Sequence, residues 1–422
     1  MSEQGVVRSG SDAARPVLRW APWLLAVAVL ARLAWTLFSP NGMNLVDLHV
    51  YVGGAASLWD GDLYDFTYSE DTPDFPLPFT YPPFAALVFY PLHVLPFALV
   101  GIAWQLATVA GLYVLVRMSQ RLLLGDGADG PRAASIAMVW TAVGMWTEPV
   151  RTTLDYGQVN VFLALALVGA ALSTRWWLSG ALVGIAAGIK LTPAITGLYL
   201  LTQRRWRAAV FSAVAFAGTV ALSWLLVGSA AREYFTTLLG DADRIGPVAS
   251  VWNQSLRGAL SRVAGEDVGS GPLWLGACAV VGILAIAAWR GIGSADRLGT
   301  LLVVQLFGLC VSPISWSHHW VWAIPLLVWL VHGPYAHLVA TRIVAGYWLV
   351  TTLVGVPWVL SFFQDSIWDV SRPGVLAWIG AVDVVGVVAV YVLFAVAGRA
   401  RRDVTPDPAP ARSNEPVRRR AP

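Results

Sequence analysis

Five short segments of this chain hold residues whose types and spacing could do chemistry. The first is VDLHVY, where Asp47 stands two residues before His49 and a few residues past an apolar run. A carboxylate placed there is partly desolvated, which raises its pKa and suits it to accept a proton. The same placement suits a structural cap or an ion pair, and the residue alone does not decide. The others are WTEPVRTTLDYGQVN (146–160), with Gln158 and Asn160; GIKLTP around Lys190; VWNQSLRG (251–258), with Asn253 and Arg257; and SPISWSHHWVW (312–322), with Trp316, His318 and His319. Adjacent histidines cannot share one helical face as an i, i+4 metal pair does, and no cysteine lies near, so no metal site is expected. FTYPPFAAL (79–87) adds Tyr81 in a turn broken by Pro82 and Pro83. It reads as a rigid interfacial turn whose aromatic face could also line a sugar or lipid site. The tryptophans at 316, 320 and 322 read equally as an aromatic belt.

The elements that must position these residues are membrane helices. The chain has 422 residues, 57% hydrophobic and 13% charged, with mean hydropathy +0.63. Soluble domains carry about 25% charged residues. Apolar runs near the length of a bilayer crossing favour a helix bundle over a barrel. Twelve candidate spans follow, at 18–38, 94–117, 133–147, 158–173, 177–190, 194–203, 208–227, 272–289, 298–312, 319–333, 338–356 and 375–398. Several are short, and those near 177–203 read as broken or re-entrant. With the N-terminus in the cytoplasm, arginine and lysine divide roughly three to one in favour of the cytoplasmic side. That bias predicts both termini inside, and it places all five segments at the outer face. Polar residues at one membrane depth are functional candidates.

Other features have plainer readings. The net charge of +3 does not argue for nucleic acid. Cys278 and Cys310 sit in apolar runs and read as small buried hydrophobes. The acidic residues from Asp60 to Asp74 read as a solvated loop, in which DGD (60–62) is a weak match to a metal-binding DxD. Arg32 and Asp383 are the ionisable residues within spans, and pairing with each other is one reading. Lys190 is the single lysine among 28 basic Lys and Arg residues. The Pro- and Arg-rich tail reads as disordered. No cleavable signal is evident.

VDLHVYVGGA, PFTYPPFAAL, DYGQVN, GIKLTP and SPISWSHHWVW together resemble glycosyltransferase family 87. The resemblance runs from about Asp47 to Trp322. It implies the all-α GT-C membrane fold: a cytoplasmic segment 1–17, a catalytic membrane domain 18–398 with outward loops 39–93 and 228–271, and a cytoplasmic tail 399–422. It implies a polyprenyl-phosphate-mannose donor, a mannosylated glycolipid acceptor and an inverting α-(1→2) transfer at the extracytoplasmic face of the cell membrane. Asp47 matches the family's base. The departing lipid phosphate needs cationic or hydrogen-bonding partners, for which His318, His319, Lys190 and Arg257 are candidates. One histidine could instead orient Asp47. His49, Gln158, Asn160, Asn253, Tyr81 and Trp316 are candidates for holding sugar. No cofactor is expected, and a monophosphate donor carries less charge than the pyrophosphates that usually bring a metal. The rival readings are a transporter, a GT-C enzyme using another lipid-linked sugar, and a glycan ligase or polymerase.

Overall fold

The computed structural model describes residues 18–38, 44–61, 63–72, 75–364, 366 and 374–404. The N-terminal segment 1–17, Asp62, Asp74 and the chain beyond 404 lie outside them, with the expectations attached to each.

The described chain is almost wholly helical. Its helices are α1 Ala21–Phe38, α2 Val46–Ala56, α3 Pro83–Phe89, α4 Phe97–Leu124, α5 Pro131–Gly144, α6 Glu148–Tyr156, α7 Asn160–Leu172, α8 Trp176–Ile189, α9 Thr196–Thr202 and α10 Trp206–Leu226. There follow α11 Gly228–Glu233, α12 Leu256–Ala264, α13 Pro272–Ile292, α14 Arg297–Val311, α15 Ala323–His332, α16 Val339–Val354, α17 Val356–Ser361, α18 Val375–Ile379 and α19 Val382–Val404. A two-residue antiparallel pair, Thr67–Tyr68 with Leu77–Pro78, folds the first loop back on itself.

Among the described residues four helices, α4, α10, α13 and α19, are long and apolar enough to cross a bilayer. A fifth crossing results if α6 and α7, bent by 119° about Gly157, count as one. The remaining apolar helices are shorter, because proline, glycine and polar turns interrupt them. Large side chains such as Val210 and Leu225 point outward from α10, as a lipid-facing surface requires. The chain is a helical membrane protein. The stretch 399–404 continues α19, so the expected tail begins helical.

Two packing details matter for the site. Gly180, Gly184 and Gly188 form a stripe on α8 against α10. A Cβ at Gly184 would come within 2.4 Å of the Ser212 carbonyl, and one at Gly188 within 2.5 Å of the Thr219 hydroxyl. Small residues at four-residue spacing let two membrane helices meet backbone to backbone, and this seam fixes the end of α8 where Lys190 follows. Arg32 of α1 pairs with Asp155 of α6, not with Asp383. The bend at Gly157 brings Asp155 beneath α1, whereas Asp383 lies in the field of Arg262.

Candidate active site

Asp47 lies in the first turn of α2. Leu45, just before that helix, holds φ 51° and ψ 32°, a left-handed conformation that costs a non-glycine residue about 1–3 kcal/mol. Its N–H donates to the Asp155 carbonyl at 2.8 Å, so the start of α2 is tied to α6. Gly157 sets the other side of this junction. Its φ is 72°, and a Cβ there would sit 2.6 Å from the Cβ of Leu48. Only glycine meets both demands, and α2 therefore lies directly against the turn that carries Gln158.

The Gln158 amide is oriented by its partners. Its Oε1 accepts from the Tyr51 hydroxyl at 3.0 Å and from Asn160 Nδ2 at 3.2 Å. The NH₂ group is thus the one left to donate to the Asp47 carboxylate, to which Gln158 is hydrogen-bonded. Asn160 also donates to the His318 carbonyl at 2.9 Å. Lys190 Nζ donates to Asn160 Oδ1 at 3.0 Å and to His319 Nε2 at 2.9 Å, and it lies 5.3 Å over the Tyr81 ring. An ammonium only donates, so the His319 ring accepts at Nε2 and carries its proton at Nδ1. Among the described residues that Nδ1, like the Nε2 of His318, has no hydrogen-bond partner.

These groups converge on one cavity of about 530 Å³, within the range of small-molecule sites. Asp47, Tyr81, Gln158, Lys190, Trp316, His318 and His319 line it, with Arg244 and Trp252 from the 228–271 loop. Asp47 faces this space while protein encloses its other sides. Burial pushes its carboxyl up to about 6, against the downward pull of the Gln158 hydrogen bond and the Lys190 charge. Burial and the Lys190 charge hold His318 and His319 well below the ordinary imidazole range. Both are therefore neutral at pH 7 and serve as hydrogen-bonding groups rather than as charges.

Four sequence candidates do not line this cavity: the Asn160 amide is spent on Gln158, His318 and Lys190, and three others fall elsewhere. His49 is two positions from Asp47, and residues i and i+2 do not share a helix face. Its ring stacks on Phe97 at 3.6 Å and Tyr68 at 4.5 Å, away from the cavity. Arg257 is held by Asp267 through bonds of 3.0 and 2.6 Å and does not line the cavity. Asn253 is fully buried. Its NH₂ donates to the carbonyls of Val248 and Pro313, and its Oδ1 accepts from the N–H of Ser255 and Ser315. Nothing of that amide remains for a sugar. Sequence reasoning missed Tyr51 and Arg244. Tyr51 had a signal, since it stands four residues after Asp47 on the same helical face. Arg244 had none. Among the described residues no three His, Cys, Asp or Glu side chains converge as a metal site.

Comparison with known proteins adds independent weight. The model of glycosyltransferase family 87 matches residues 79–313, a stretch that holds Tyr81, Gln158, Asn160 and Lys190 but neither Asp47 nor the two histidines. A Mycolicibacterium smegmatis protein, named polyprenol-phosphate-mannose-dependent alpha-(1-2)-phosphatidylinositol pentamannoside mannosyltransferase, is 60% identical over 373 residues, 88% of this chain and 90% of the relative. A Mycobacterium tuberculosis protein of the same name is 58% identical over 372 residues, 88% of this chain and 86% of its own. Another from Mycobacterium tuberculosis strain H37Rv, named polyprenol-phosphate-mannose-dependent alpha-(1-2)-phosphatidylinositol mannoside mannosyltransferase, is 34% identical over 336 residues, 76% of this chain and 77% of its own. No solved structure matches the chain. A family match over more than half the sequence, and relatives this similar over most of their length, agree with the motifs that line the cavity: the chain belongs to glycosyltransferase family 87.

Proposed function

We propose that this protein transfers mannose from polyprenyl-phosphate mannose to the 2-hydroxyl of a mannosylated phosphatidylinositol, forming an α-(1→2) bond with inversion. The relatives at 58% and 60% identity carry names that specify a phosphatidylinositol pentamannoside, and we take that as the acceptor. The observation that carries the reading is one cavity holding Asp47 together with Lys190 and His319.

The acceptor hydroxyl oxygen attacks the anomeric carbon from the face opposite the phosphate, and its proton passes to an Asp47 oxygen. The bond from the anomeric carbon to the phosphate oxygen breaks, and its electron pair stays on that oxygen. Polyprenyl phosphate leaves with one more negative charge than it had as a diester. Lys190, positioned by Asn160 and His319, supplies the positive charge against which that charge develops. Gln158 orients the base. Tyr81 and Trp316 offer aromatic faces to sugar rings. The active site faces the outside of the cell membrane in a twelve-span arrangement with both termini in the cytoplasm. That side lacks nucleotide sugars, which fits a lipid-borne donor.

The test is direct. Purified protein with radiolabelled polyprenyl-phosphate mannose and a panel of phosphatidylinositol mannosides converts a pentamannoside to a hexamannoside, and EDTA leaves the rate unchanged. Label that crosses a vesicle membrane without a new glycolipid would make the protein a transporter.

A further inference from the structure

Cations are scarce in the cavity. Among the described residues lining it, Lys190 and Arg244 are the only lysine and arginine. The proposed transfer brings two lipid phosphodiesters to one enzyme. One joins mannose to the polyprenol, and the other joins the acceptor's inositol to its diacylglycerol. Lys190 is engaged beside the base.

Arg244 comes from the 228–271 loop and is set by a single tyrosine. Its guanidinium lies 5.1 Å over the Tyr64 ring, and Nη2 donates to the Tyr64 carbonyl at 3.0 Å. Tyr64 is itself fixed. Its ring stacks on Tyr234 at 5.7 Å, and its hydroxyl donates to the Tyr81 carbonyl at 3.0 Å. The acidic groups acting on Arg244 are Glu233 and Asp241. Neither forms an ion pair with it among the described residues. Asp241 instead uses Oδ1 to accept the N–H groups of Asp243 and Arg244, at 3.2 and 3.3 Å. The guanidinium is thus aimed by two contacts and keeps N–H donors for a ligand. A planar fork held in place suits phosphate oxygens.

We infer that Arg244 contacts the phosphate of a lipid substrate in this cavity, an inference that rests on the function proposed above. The contact is read through the binding of that lipid.

The experiment compares wild type with Arg244→Gln, which keeps an amide donor but no charge, and with Arg244→Ala. Arg257→Gln, outside the cavity, is the control. Donor and acceptor are titrated separately, and a phosphate-free alkyl mannoside serves as a second acceptor. Losing a charge-assisted hydrogen bond raises KM roughly 10- to 100-fold. A rise confined to the donor assigns the polyprenyl phosphate. A rise for the phosphatidylinositol mannoside, with the alkyl mannoside unaffected, assigns the acceptor phosphate. Unchanged KM for both lipids in Arg244→Gln overturns the inference, even where Arg244→Ala fails to fold. Scintillation-proximity binding of labelled polyprenyl phosphate and of phosphatidylinositol reads the same contact without turnover. If wild type transfers no mannose, the proposed function falls. Weaker binding of either lipid to Arg244→Gln then still supports the contact, and equal binding of both still refutes it.

Discussion

Two of the polar clusters buried among the described residues differ in what is left over. Around Arg262 both terminal guanidinium nitrogens are spent on backbone, reaching the carbonyls of Ser250, Asn253 and Gly380 at 2.7–2.9 Å, with only Nε lacking a partner among the described residues, and Asn253 closes four more backbone bonds. Around Asp47 the bonds run side chain to side chain, from Tyr51 through Gln158 and Asn160 to Lys190, and the chain of partners ends at an open cavity. Buried polar groups are normally satisfied. The first cluster follows that rule in all but the Arg262 Nε and acts as a clamp on the 228–271 loop. The second leaves capacity facing a space where a substrate fits. Polarity at a given membrane depth marks both, and the state of saturation separates them.

Several changes should break or sharpen this contrast. The largest effect is expected for Asp47→Asn, which keeps the shape and removes the base. Transfer should fall by about 10²–10⁴, with the detergent-solubilised protein melting as wild type does. Gly157→Ala should come next, because the added Cβ meets Leu48 and the backbone conformation is unfavourable. Displacing Asp47 on that scale costs on the order of 10² in rate, read as kcat with donor and acceptor saturating. The pH profile should show the base directly. With the carboxyl near 6, the active form is the deprotonated one. The kcat/KM should therefore rise about tenfold per pH unit up to about 6 and fall again above about 7, to which burial lowers the Lys190 ammonium against the pull of Asp47; a rate that does not rise between pH 5 and 6 would remove Asp47 from the role. In the saturated cluster, Asn253→Ala should have the opposite signature. It strands several buried backbone groups at about 1–3 kcal/mol each, so the melting temperature falls while the rate per folded molecule stays close to wild type.

The same contrast explains what could be read from the sequence. DYGQVN, GIKLTP and the histidine pair announced themselves because polar residues interrupted apolar runs at one depth, and the cavity joins all three. Asn253 announced itself in the same way, yet its amide is consumed by loop carbonyls that no local pattern reveals. Arg257 was named for its charge, but its neutralising partner, Asp267, is ten residues on and reaches back around α12. Arg244 had no local mark, since its orientation comes from Tyr64, far away in the chain. Helices were legible from hydropathy. Their lengths were less so, because the 119° turn at Gly157 and the prolines divide what composition presents as continuous runs.

The glycine seam between α8 and α10 has a consequence for substrate range. Backbones already in contact leave no slack, so the wall that carries Lys190 is rigid by construction. The facing wall hangs from irregular chain between Gly240 and Trp252. Widening that admits a bulkier glycan is expected from such irregular stretches, and paralogues that differ in the mannoside they extend should differ there before they differ along the seam.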